Sequence, residues 1–275
     1  MKYIEVEQFC IEVAMKISLI ITTYNWPEAL KAVLDSVLQQ TRMPDEVIIA
    51  DDGSTAATEQ LVTHYQSLFP VPLLHSWQQD KGFRLARSRN KAIEMASNDY
   101  IVMIDGDMVL EKRFIHDHKY HAEPGHFITG KRVKMNAKLS QLVQQKKSQP
   151  HLLSTGISRG RELAIRCQPL AKLLSKKTTH STEGIHGCNL AFWRQDVLNI
   201  NGFNEEFEGW GPEDKEFAQR MINAGTLRKL TKFTTVAYHL DHQESCRKLL
   251  QKNDDIFQRS IRQKATWCRV GINEF

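Results

Sequence analysis

Two aspartates separated by one glycine, Asp105 and Asp107, follow an apolar segment that is typical of a buried strand, in the sequence YIVMIDGDMVL from Tyr100 to Leu110. Side chains two residues apart in an extended chain point the same way, so the two carboxylates can converge on one target. Gly106 allows a tight turn and a close approach of the backbone to a ligand. Neighbouring carboxylates repel each other unless a proton or a cation relieves them, and a divalent cation commonly bridges them to phosphates. The pattern therefore predicts a metal–diphosphate site, although a surface turn that carries acids would have the same short sequence.

The composition is that of an ordinary folded protein, with 41% hydrophobic and 25% charged residues among 275 positions. The five cysteines are scattered and form no Cys-x-x-Cys pair, which indicates reduced thiols and predicts a cytoplasmic location. No apolar stretch of the sequence approaches the roughly 20 residues that span a bilayer. Residues 1–14 are too acidic and too weakly apolar for a signal peptide, and we interpret them as an extension before a fold that begins at Met15.

Strands and helices alternate along the first half of the chain, and these elements must hold the acids in place. Short β-rich apolar segments predict strands, and apolar residues at i, i+3, i+4, i+7 and i+8 predict an amphipathic helix after Pro27. The predicted strands are KISLIITTYN, DEVIIADDGS, VPLLHSW and DYIVMIDGD, and the further predicted helices are TAATEQLVTHYQSLF and RLARSRNKAIEMAS. This alternation predicts a Rossmann-like α/β fold, a mostly parallel sheet with helices on both faces, in a single large domain.

Three of these predicted strands end in polar residues, at positions 22–25, 51–54 and 105–107. The carboxyl ends of parallel strands lie at one edge of a sheet, and ligands of such sheets bind beyond that edge. We therefore expect the three polar clusters to gather around one ligand.

The same segments resemble a known family when they are read in order. TTYNWPEALKAVLDSVLQQT, DEVIIADDGST, DKGFRLARSRNKAI and MIDGDMV are similar to the nucleotide-sugar-dependent glycosyltransferases of family 2, which have the GT-A fold. The resemblance covers residues 15–110 and resumes at 184–243. It implies transfer of a sugar from a nucleoside diphosphate with inversion at the anomeric carbon.

The resemblance also implies roles for individual residues. The 23–25 segment would line the nucleotide pocket, Asp52 would hold the base, and Asp107 would bind the metal directly, with Asp105 near the ribose and the metal. The nucleotide-sugar-binding residues that it implies are Thr23, Tyr24, Asn25, Asp52, Arg84, Arg89, Asn90, Asp105 and Gly106.

The sequence WGPED, from Trp210 to Asp214, is the chemical centre of the second half. Pro212 suits a first helical turn, and acids in that turn complement the helix dipole, which is sufficient as a structural role. However, WGPED resembles the Trp-Gly-x-Glu-Asp signature of galactosyltransferase-like and chondroitin-polymerase-like enzymes. That resemblance makes Asp214 the catalytic base, with Glu213, Trp210 and Gly211 binding the acceptor.

Two histidines, His239 and His242, follow the short β-rich segment FTTVAY. In the resembled enzymes a histidine after the last core strand completes the metal site, which implies Mn²⁺ or Mg²⁺ as cofactor. Residues three apart lie on different sides of an extended strand, so we expect one histidine to bind, and the HQES context favours His242. For Asn189, in GIHGCN, a donor-side role and a structural turn role are both open, and His186 is expected to be structural or flexible and not a ligand.

A basic segment, residues 131–183, separates the two site-forming parts. Between Lys131 and His180 there are twelve Lys or Arg residues and a single acid, Glu162. We interpret the segment as a partly mobile insertion that attracts a lipid-linked acceptor or an anionic membrane surface, and a solvated surface without a partner is the alternative. The remaining boundaries are 15–130 for the nucleotide-sugar-binding half, 184–245 for the acceptor- and metal-binding half, and 246–275 for a helical tail.

The leading hypothesis is an inverting, metal-dependent glycosyltransferase that uses a UDP-sugar, with galactose, N-acetylgalactosamine or N-acetylglucosamine as the sugar. The resemblance implies a glycan or lipid-linked glycan acceptor, such as the core of bacterial lipopolysaccharide, at the inner face of the cytoplasmic membrane. A nucleotidyltransferase acting on sugar phosphates is the first alternative, but TTYNWPEAL lacks the glycine-rich phosphate loop that it would need. A basic nucleic-acid-binding protein is the second, but the basic segment has no aromatic residue to stack on bases, so we expect no nucleic-acid partner.

Overall fold

Two β-sheets and their surrounding helices form the protein in this computed structural model, which describes residues 15–175, 178–243 and 246–274. The extension predicted for residues 1–14 lies outside the described residues. In chain order, the strands are β1 (Ile17–Thr23), β2 (Glu46–Asp51), β3 (Leu73–Trp77), β4 (Tyr100–Asp105), β5 (Met108–Leu110), β6 (His126–Thr129), β7 (Val133–Met135), β8 (Ile157–Arg159), β9 (Thr178–Thr179), β10 (Asn189–Trp193), β11 (Leu227–Leu230) and β12 (Ala237–His239). The α-helices are α1 (Pro27–Leu38), α2 (Ala56–Gln66), α3 (Leu85–Met95), α4 (Phe114–His121), α5 (Ala137–Gln144), α6 (Gln168–Leu174), α7 (Arg194–Asn199), α8 (Glu213–Asn223) and α9 (Leu250–Arg262).

The larger sheet has eight strands in the order β3-β2-β1-β4-β10-β6-β11-β9. Strands β3, β2, β1 and β4 are parallel, whereas β10 runs antiparallel to both β4 and β6. The parallel half is the part that the alternation of strands and helices predicts. The antiparallel strand β10 makes this a mixed sheet in which the parallel half ends at β4.

Alternate residues of β1 pack on opposite faces of the sheet, as expected for a strand that is buried on both sides. Leu19 and Ile21 contact the core that α1 and α2 cover, and Ile20 belongs to the core on the other face, with α3 and α8. All seven residues of β1 are buried. Helices therefore cover both faces, as the sequence predicts.

The smaller sheet has the order β5-β12-β7-β8 and lies over a core of its own. Its strand β5 directly follows the Asp-Gly-Asp sequence, and β12 ends at His239. The other two strands come from the basic segment 131–183, which also provides α5, α6 and the edge strand β9 of the larger sheet. The basic segment is thus built into both sheets.

Two segments of the second half differ in detail from the sequence prediction. Most of FTTVAY is irregular, because Phe233 and Thr235 have positive φ angles, and β12 begins only at Ala237. The tail is helical over α9 and again in a short 3₁₀ turn at Ile272–Glu274, and the residues between them are irregular. No helix within the described ranges has the length and apolar character that a membrane crossing requires.

Candidate functional site

A cleft of about 720 Å³ opens beyond the carboxyl ends of β1 and β4. Most of the residues singled out in the sequence line it. Those residues are Thr23, Tyr24, Asp52, Arg89, Asp105, Gly106, Asp107, Trp210, Gly211, Glu213, Asp214, His239 and His242. The parallel sheet thus brings its polar strand ends and the WGPED loop to one place, as the edge rule for such sheets requires.

Asp52 lies at the β2 end of the cleft and is almost fully buried. Its carboxylate accepts hydrogen bonds from the Gln78 side chain at 2.6 Å and from the backbone N–H of Arg84 at 2.8 Å. Burial raises the pKa of Asp52 above its ordinary value. The carboxylate is therefore held in a fixed orientation at the edge of the cleft.

Asn25 and Arg84, which the resemblance assigns to the nucleotide-sugar, do not line the cleft and instead support its loops. The side chain of Asn25, a residue with a φ of 46°, accepts a hydrogen bond from the N–H of Thr55 at 2.9 Å. The guanidinium of Arg84 donates to the carbonyl of Gln79 at 2.7 Å. Both side chains therefore stabilise loops beside the cleft, at the ends of β2 and β3.

Asn90 and Asn189 are fully buried and have structural partners. The amide of Asn90 exchanges two hydrogen bonds with the backbone of Phe203, at 2.7 and 2.8 Å, so this predicted nucleotide-sugar ligand faces the 203–205 loop instead of the cleft. The amide of Asn189 contacts His118 and the carbonyls of Lys131 and Thr235. The structural role left open for Asn189 is therefore the one that its contacts support.

Arg89 connects the strand end of β4 with the start of α8. Its side chain is 1% exposed and lies 3.2 Å from both the Asp105 carboxylate and the Glu213 carboxylate. Asp105 also accepts a hydrogen bond from the hydroxyl of Thr22 at 3.1 Å. A side chain at Gly106 would overlap the carbonyl oxygen of Thr22, so the turn after β4 has room only for glycine.

Asp107, His239 and His242 form a carboxylate–histidine cluster whose potential ligand atoms lie within 4.8 Å of one another. Pairing of β12 with β5 sets His239 opposite Met108 and so next to Asp107. The Nε2 atoms of His239 and His242 lie 3.3 and 3.0 Å from the same Asp107 oxygen. Contrary to the expectation from an extended strand, both histidines reach the carboxylate, because β12 ends at His239 and His242 follows in irregular chain.

This cluster fits a divalent cation on two observations. The second oxygen of Asp107, Oδ1, is buried and has no hydrogen-bond partner among the described residues, which leaves a ligand position available. The Asp107 carboxylate raises the pKa of His242 to about 9, so it stabilises a positive charge at this position, which either a proton or a bound cation supplies. One carboxylate with two imidazoles is a donor set that Mn²⁺ accepts readily.

Glu213 and Asp214 begin α8, where the first turn also carries Glu216. The Asp214 carboxylate accepts hydrogen bonds from the backbone N–H groups of Gly187 and Lys215, both at 2.7 Å. Burial raises the pKa of Asp214, and burial together with the Asp214 charge raises the pKa of Glu213. The two neighbouring carboxylates therefore differ in their direct partners, since Glu213 pairs with Arg89 and Asp214 accepts hydrogen bonds from backbone N–H groups.

Several residues of the cleft were missed by the sequence reasoning. Arg132 precedes β7, Lys134 belongs to it, and both line the cleft near Asp107. His186, for which the sequence favours a structural or flexible role, is exposed and lines the cleft as well. From the tail, the guanidinium of Arg247 stacks over the Trp210 ring at 4.5 Å. Gly187 is also essential to the packing, because an added Cβ would lie 2.9 Å from Arg89 and 3.3 Å from Asp214. The paired glycines of GIHGCN were the available signal for this last residue.

Comparison with known proteins gives two family matches. Residues 18–197 match glycosyl transferase family 2, and residues 169–243 match the N-terminal domain of galactosyltransferase. A hyaluronan synthase of Pasteurella multocida is 27% identical over 81% of this chain and 24% of its own length, and a chondroitin synthase of Escherichia coli is 26% identical over 81% and 34%. The chain therefore spans a quarter to a third of the length of these relatives.

Solved structures give the same fold. The S. aureus TarS 1-349 structure in complex with UDP-GlcNAc has a TM-score of 0.63 at 16% identity and covers 94% of this chain and 69% of that one. The mannosyltransferase PcManGT of Pyrobaculum calidifontis, in complex with GDP-Man and Mn²⁺, has a TM-score of 0.57 at 18% identity and covers 88% and 68%. These likenesses confirm the predicted α/β fold of the GT-A type.

Proposed function

The chain belongs to glycosyl transferase family 2, and from this premise we propose that it transfers a hexose or an N-acetylhexosamine from a UDP-sugar to a glycan hydroxyl, with inversion. The observation that carries the proposal is one cleft that contains both the Asp107–His239–His242 cluster and the Asp214 carboxylate. The cluster suits a diphosphate with its cation, and Asp214 suits an acceptor hydroxyl. A transfer between two substrates requires two such ends.

The donor end suits a uridine nucleotide. The oriented carboxyl group of Asp52 is an acceptor for the ring N–H of a uracil base, and the half-exposed ring of Tyr24 offers an apolar surface beside it. The TarS complexes with UDP and UDP-GlcNAc, which share the fold, support UDP as the nucleotide. Galactose, N-acetylgalactosamine and N-acetylglucosamine are the sugars that we propose to test first.

The residues that would hold a divalent cation, Mn²⁺ or Mg²⁺, are Asp107, His239 and His242. The Oδ1 oxygen of Asp107, which accepts no hydrogen bond from the part of the chain that the structure describes, would be one of the ligand atoms. When bound, such a cation neutralises the charge that develops on the leaving diphosphate. Arg132 and Lys134 line the same part of the cleft and add positive charge for the same group.

Asp214 is the residue that we propose as the base. Each of its oxygens accepts one backbone N–H, which leaves a lone pair on each for an acceptor hydroxyl. Arg89 pairs directly with Glu213, whereas burial raises the pKa of Asp214 against the charges of Arg89 and Lys215, and a raised pKa makes Asp214 a better proton acceptor. The hydroxyl proton would pass to Asp214 while the acceptor oxygen bonds to the anomeric carbon and the bond to the diphosphate breaks on the opposite side.

Glu213, Gly211 and the Trp210 ring, 38% exposed, would bind the acceptor sugar at the same end. The synthase relatives, whose names refer to glycosaminoglycans, support a glycan acceptor. A lipid-linked bacterial surface glycan such as lipopolysaccharide core, modified in the cytoplasm at the inner face of the membrane, completes the proposal. The excess of basic residues at 131–180 supports peripheral association with an anionic membrane.

The test is hydrolysis of UDP-sugars, in which water replaces the unknown acceptor. With Mn²⁺ present, the wild-type protein should release UDP from one of the three sugar nucleotides, and Asp214→Asn should lose this release by about a hundredfold or more while still binding UDP. Release of pyrophosphate from UTP and a sugar 1-phosphate, with no hydrolysis of any UDP-sugar, would favour a nucleotidyltransferase instead.

A further inference from the structure

We propose that helix α6 docks the protein on an anionic lipid surface through three leucines, Leu170, Leu173 and Leu174, which we call the leucine face. They occupy positions i, i+3 and i+4 and therefore share one side of the helix. Leu173 is 72% exposed and Leu170 43% exposed. Single exposed apolar side chains are common on protein surfaces, but three neighbouring leucines on one side of a short helix form a contiguous apolar patch.

The other side of α6 packs on the protein. Ala171 is fully buried, and the hydroxyl of Ser175, just after the helix, accepts a hydrogen bond from the N–H of Lys232 at 3.2 Å. Because the small residues face inward, the leucines must face outward. The orientation of the helix thus follows from its sequence, and the exposed leucines are a fixed feature of the surface.

Strong contacts also anchor the chain just before the leucine face. Arg166 forms a two-pronged ion pair with the buried Asp117, at 2.5 and 3.0 Å, and the N–H of Cys167 donates to the carbonyl of Phe233 at 2.9 Å. Asp117 also accepts a hydrogen bond from the backbone of Thr235. Because these contacts hold the start of α6 on the core, a membrane that binds the helix would bind the whole protein.

Two further exposed apolar side chains, Leu153 and Ile165, precede α6 in the chain. Arg161 donates to the carbonyls of Leu152 and Ser154, at 2.6 and 3.1 Å, and so fixes the loop on which Leu153 is 79% exposed. Ile165, between Arg161 and α6, is also exposed. Apolar side chains therefore protrude from both ends of the 153–174 segment.

The charge around the leucine face identifies the partner. Lys172 is exposed on the helix, Arg159 and Arg161 are exposed before it in the chain, and the sequence continues with Lys176 and Lys177. The whole stretch from 131 to 180 contains one acid, the exposed Glu162. Leucines that enter the acyl boundary while basic residues meet anionic headgroups are the pattern of an interfacial helix. A second copy of the chain fits less well, because a symmetric contact would bring two basic surfaces together.

Docking in this position would keep the cleft near the membrane, since Ser158 of β8 lines the cleft and the chain runs from there through Arg161 to α6. The inference does not depend on the proposed reaction, because lipid binding is measured without any sugar substrate. The inference deepens the peripheral membrane association given under the proposed function, so failure of lipid binding would remove that association and leave the sugar transfer standing.

The experiment is co-sedimentation of the full chain with vesicles of phosphatidylcholine alone or mixed with phosphatidylglycerol. We expect binding to the mixed vesicles only. The double variant Leu170→Ser/Leu173→Ser should weaken it by about tenfold or more, and Lys172→Glu by about fivefold or more, with release by salt. Matched controls are Leu68→Ser, at a leucine that is 50% exposed on another surface, and Arg262→Glu at the end of α9. Both should bind as the wild type does.

Three results would overturn the proposal. One is wild-type protein that binds neither kind of vesicle, and another is binding that the leucine and lysine variants leave unchanged while circular dichroism shows them folded. The third is a wild-type dimer in light scattering that becomes a monomer in Leu170→Ser/Leu173→Ser, which would make the leucine face an interface between copies of the chain.

Discussion

Replacement of Arg89 by methionine should be one of the most destabilising single changes at the cleft. Methionine keeps most of the apolar volume of the side-chain stem, although the contact of the guanidinium with Phe203, whose ring centre lies 5.1 Å from the guanidinium carbon, is lost. What it removes is the positive charge that lies 3.2 Å from both Asp105 and Glu213. Those two carboxylates and Asp214 would then face one another without a cation, which disfavours their charged forms.

The structure gives the size of the effect. Loss of one partner of a buried ion pair costs about 3–5 kcal/mol, and we expect the lower end, about 3 kcal/mol, because water reaches Asp105, whose side chain is 32% exposed. Arg87 provides a matched control on the same helix, since it pairs with Glu205 at 3.0 Å but is 36% exposed. Arg87→Met should therefore cost less than about 1 kcal/mol.

Urea unfolding followed by circular dichroism measures both values, and a double-mutant cycle tests the cause. Adding Glu213→Gln to Arg89→Met removes one of the unpaired acids and should restore about 1 kcal/mol. If Arg89→Met proved no more costly than Arg87→Met, or if Glu213→Gln restored nothing, the central place given to Arg89 between the two ends of the cleft would be refuted.

Two further predictions concern stability at low pH and the acceptor loop. Burial lowers the pKa of His118 to about 3, so its contribution to stability is complete above the unfolded pKa of about 6.5 and is lost as the pH falls, by about 2 kcal/mol at pH 5. Between pH 6.5 and 4.5, the unfolding free energy of His118→Gln should fall less steeply than that of the wild type. The exposed control His64→Gln should keep the slope of the wild type. An equal slope in the wild type and both variants would disprove the effect assigned to His118. Separately, the buried amide of Asn253 donates to the carbonyls of Glu208 and Trp210, at 2.9 and 3.0 Å, so Asn253→Ala should speed amide hydrogen exchange in this loop by about ten- to thirtyfold. Gln251→Ala, an exposed change on the same helix, should leave that exchange as it is, and identical rates in both variants would show that Asn253 does not hold the loop.

The first half of the fold could be predicted because its signals are local. The period of the apolar residues after Pro27 gives α1, and the buried strands β1, β2 and β4 end at the polar clusters that line the cleft. The carboxyl-edge rule then brings Asp105 and Asp107 together with Thr23 and Asp52, with no further information.

The rest depends on contacts between distant parts of the chain. Strands of three residues, such as β7 and β12, are too short to show a period of two. The pattern of apolar residues therefore does not predict the smaller sheet, although the β-rich segment FTTVAY contains the start of β12. That sheet brings Arg132 to the cleft and sets His239 beside Asp107. Asn90 is wrongly assigned to the ligand, because it is next to Arg89 on α3. The Arg89 side chain lies in the cleft, whereas the Asn90 side chain lies against the 203–205 loop, and the sequence does not show this difference.

The most direct test of the account is isothermal calorimetry of UDP binding, with and without Mn²⁺. Three proteins are compared: the wild type, Asp107→Ala, and Asp254→Asn as a control that changes another acid lining the same cleft. We predict binding by the wild type that depends on Mn²⁺, loss of that dependence in Asp107→Ala, and wild-type behaviour in Asp254→Asn. Binding of another nucleotide but not UDP would change the donor, and UDP binding that ignores both Mn²⁺ and Asp107 would contradict the metal–diphosphate site on which the proposed function rests.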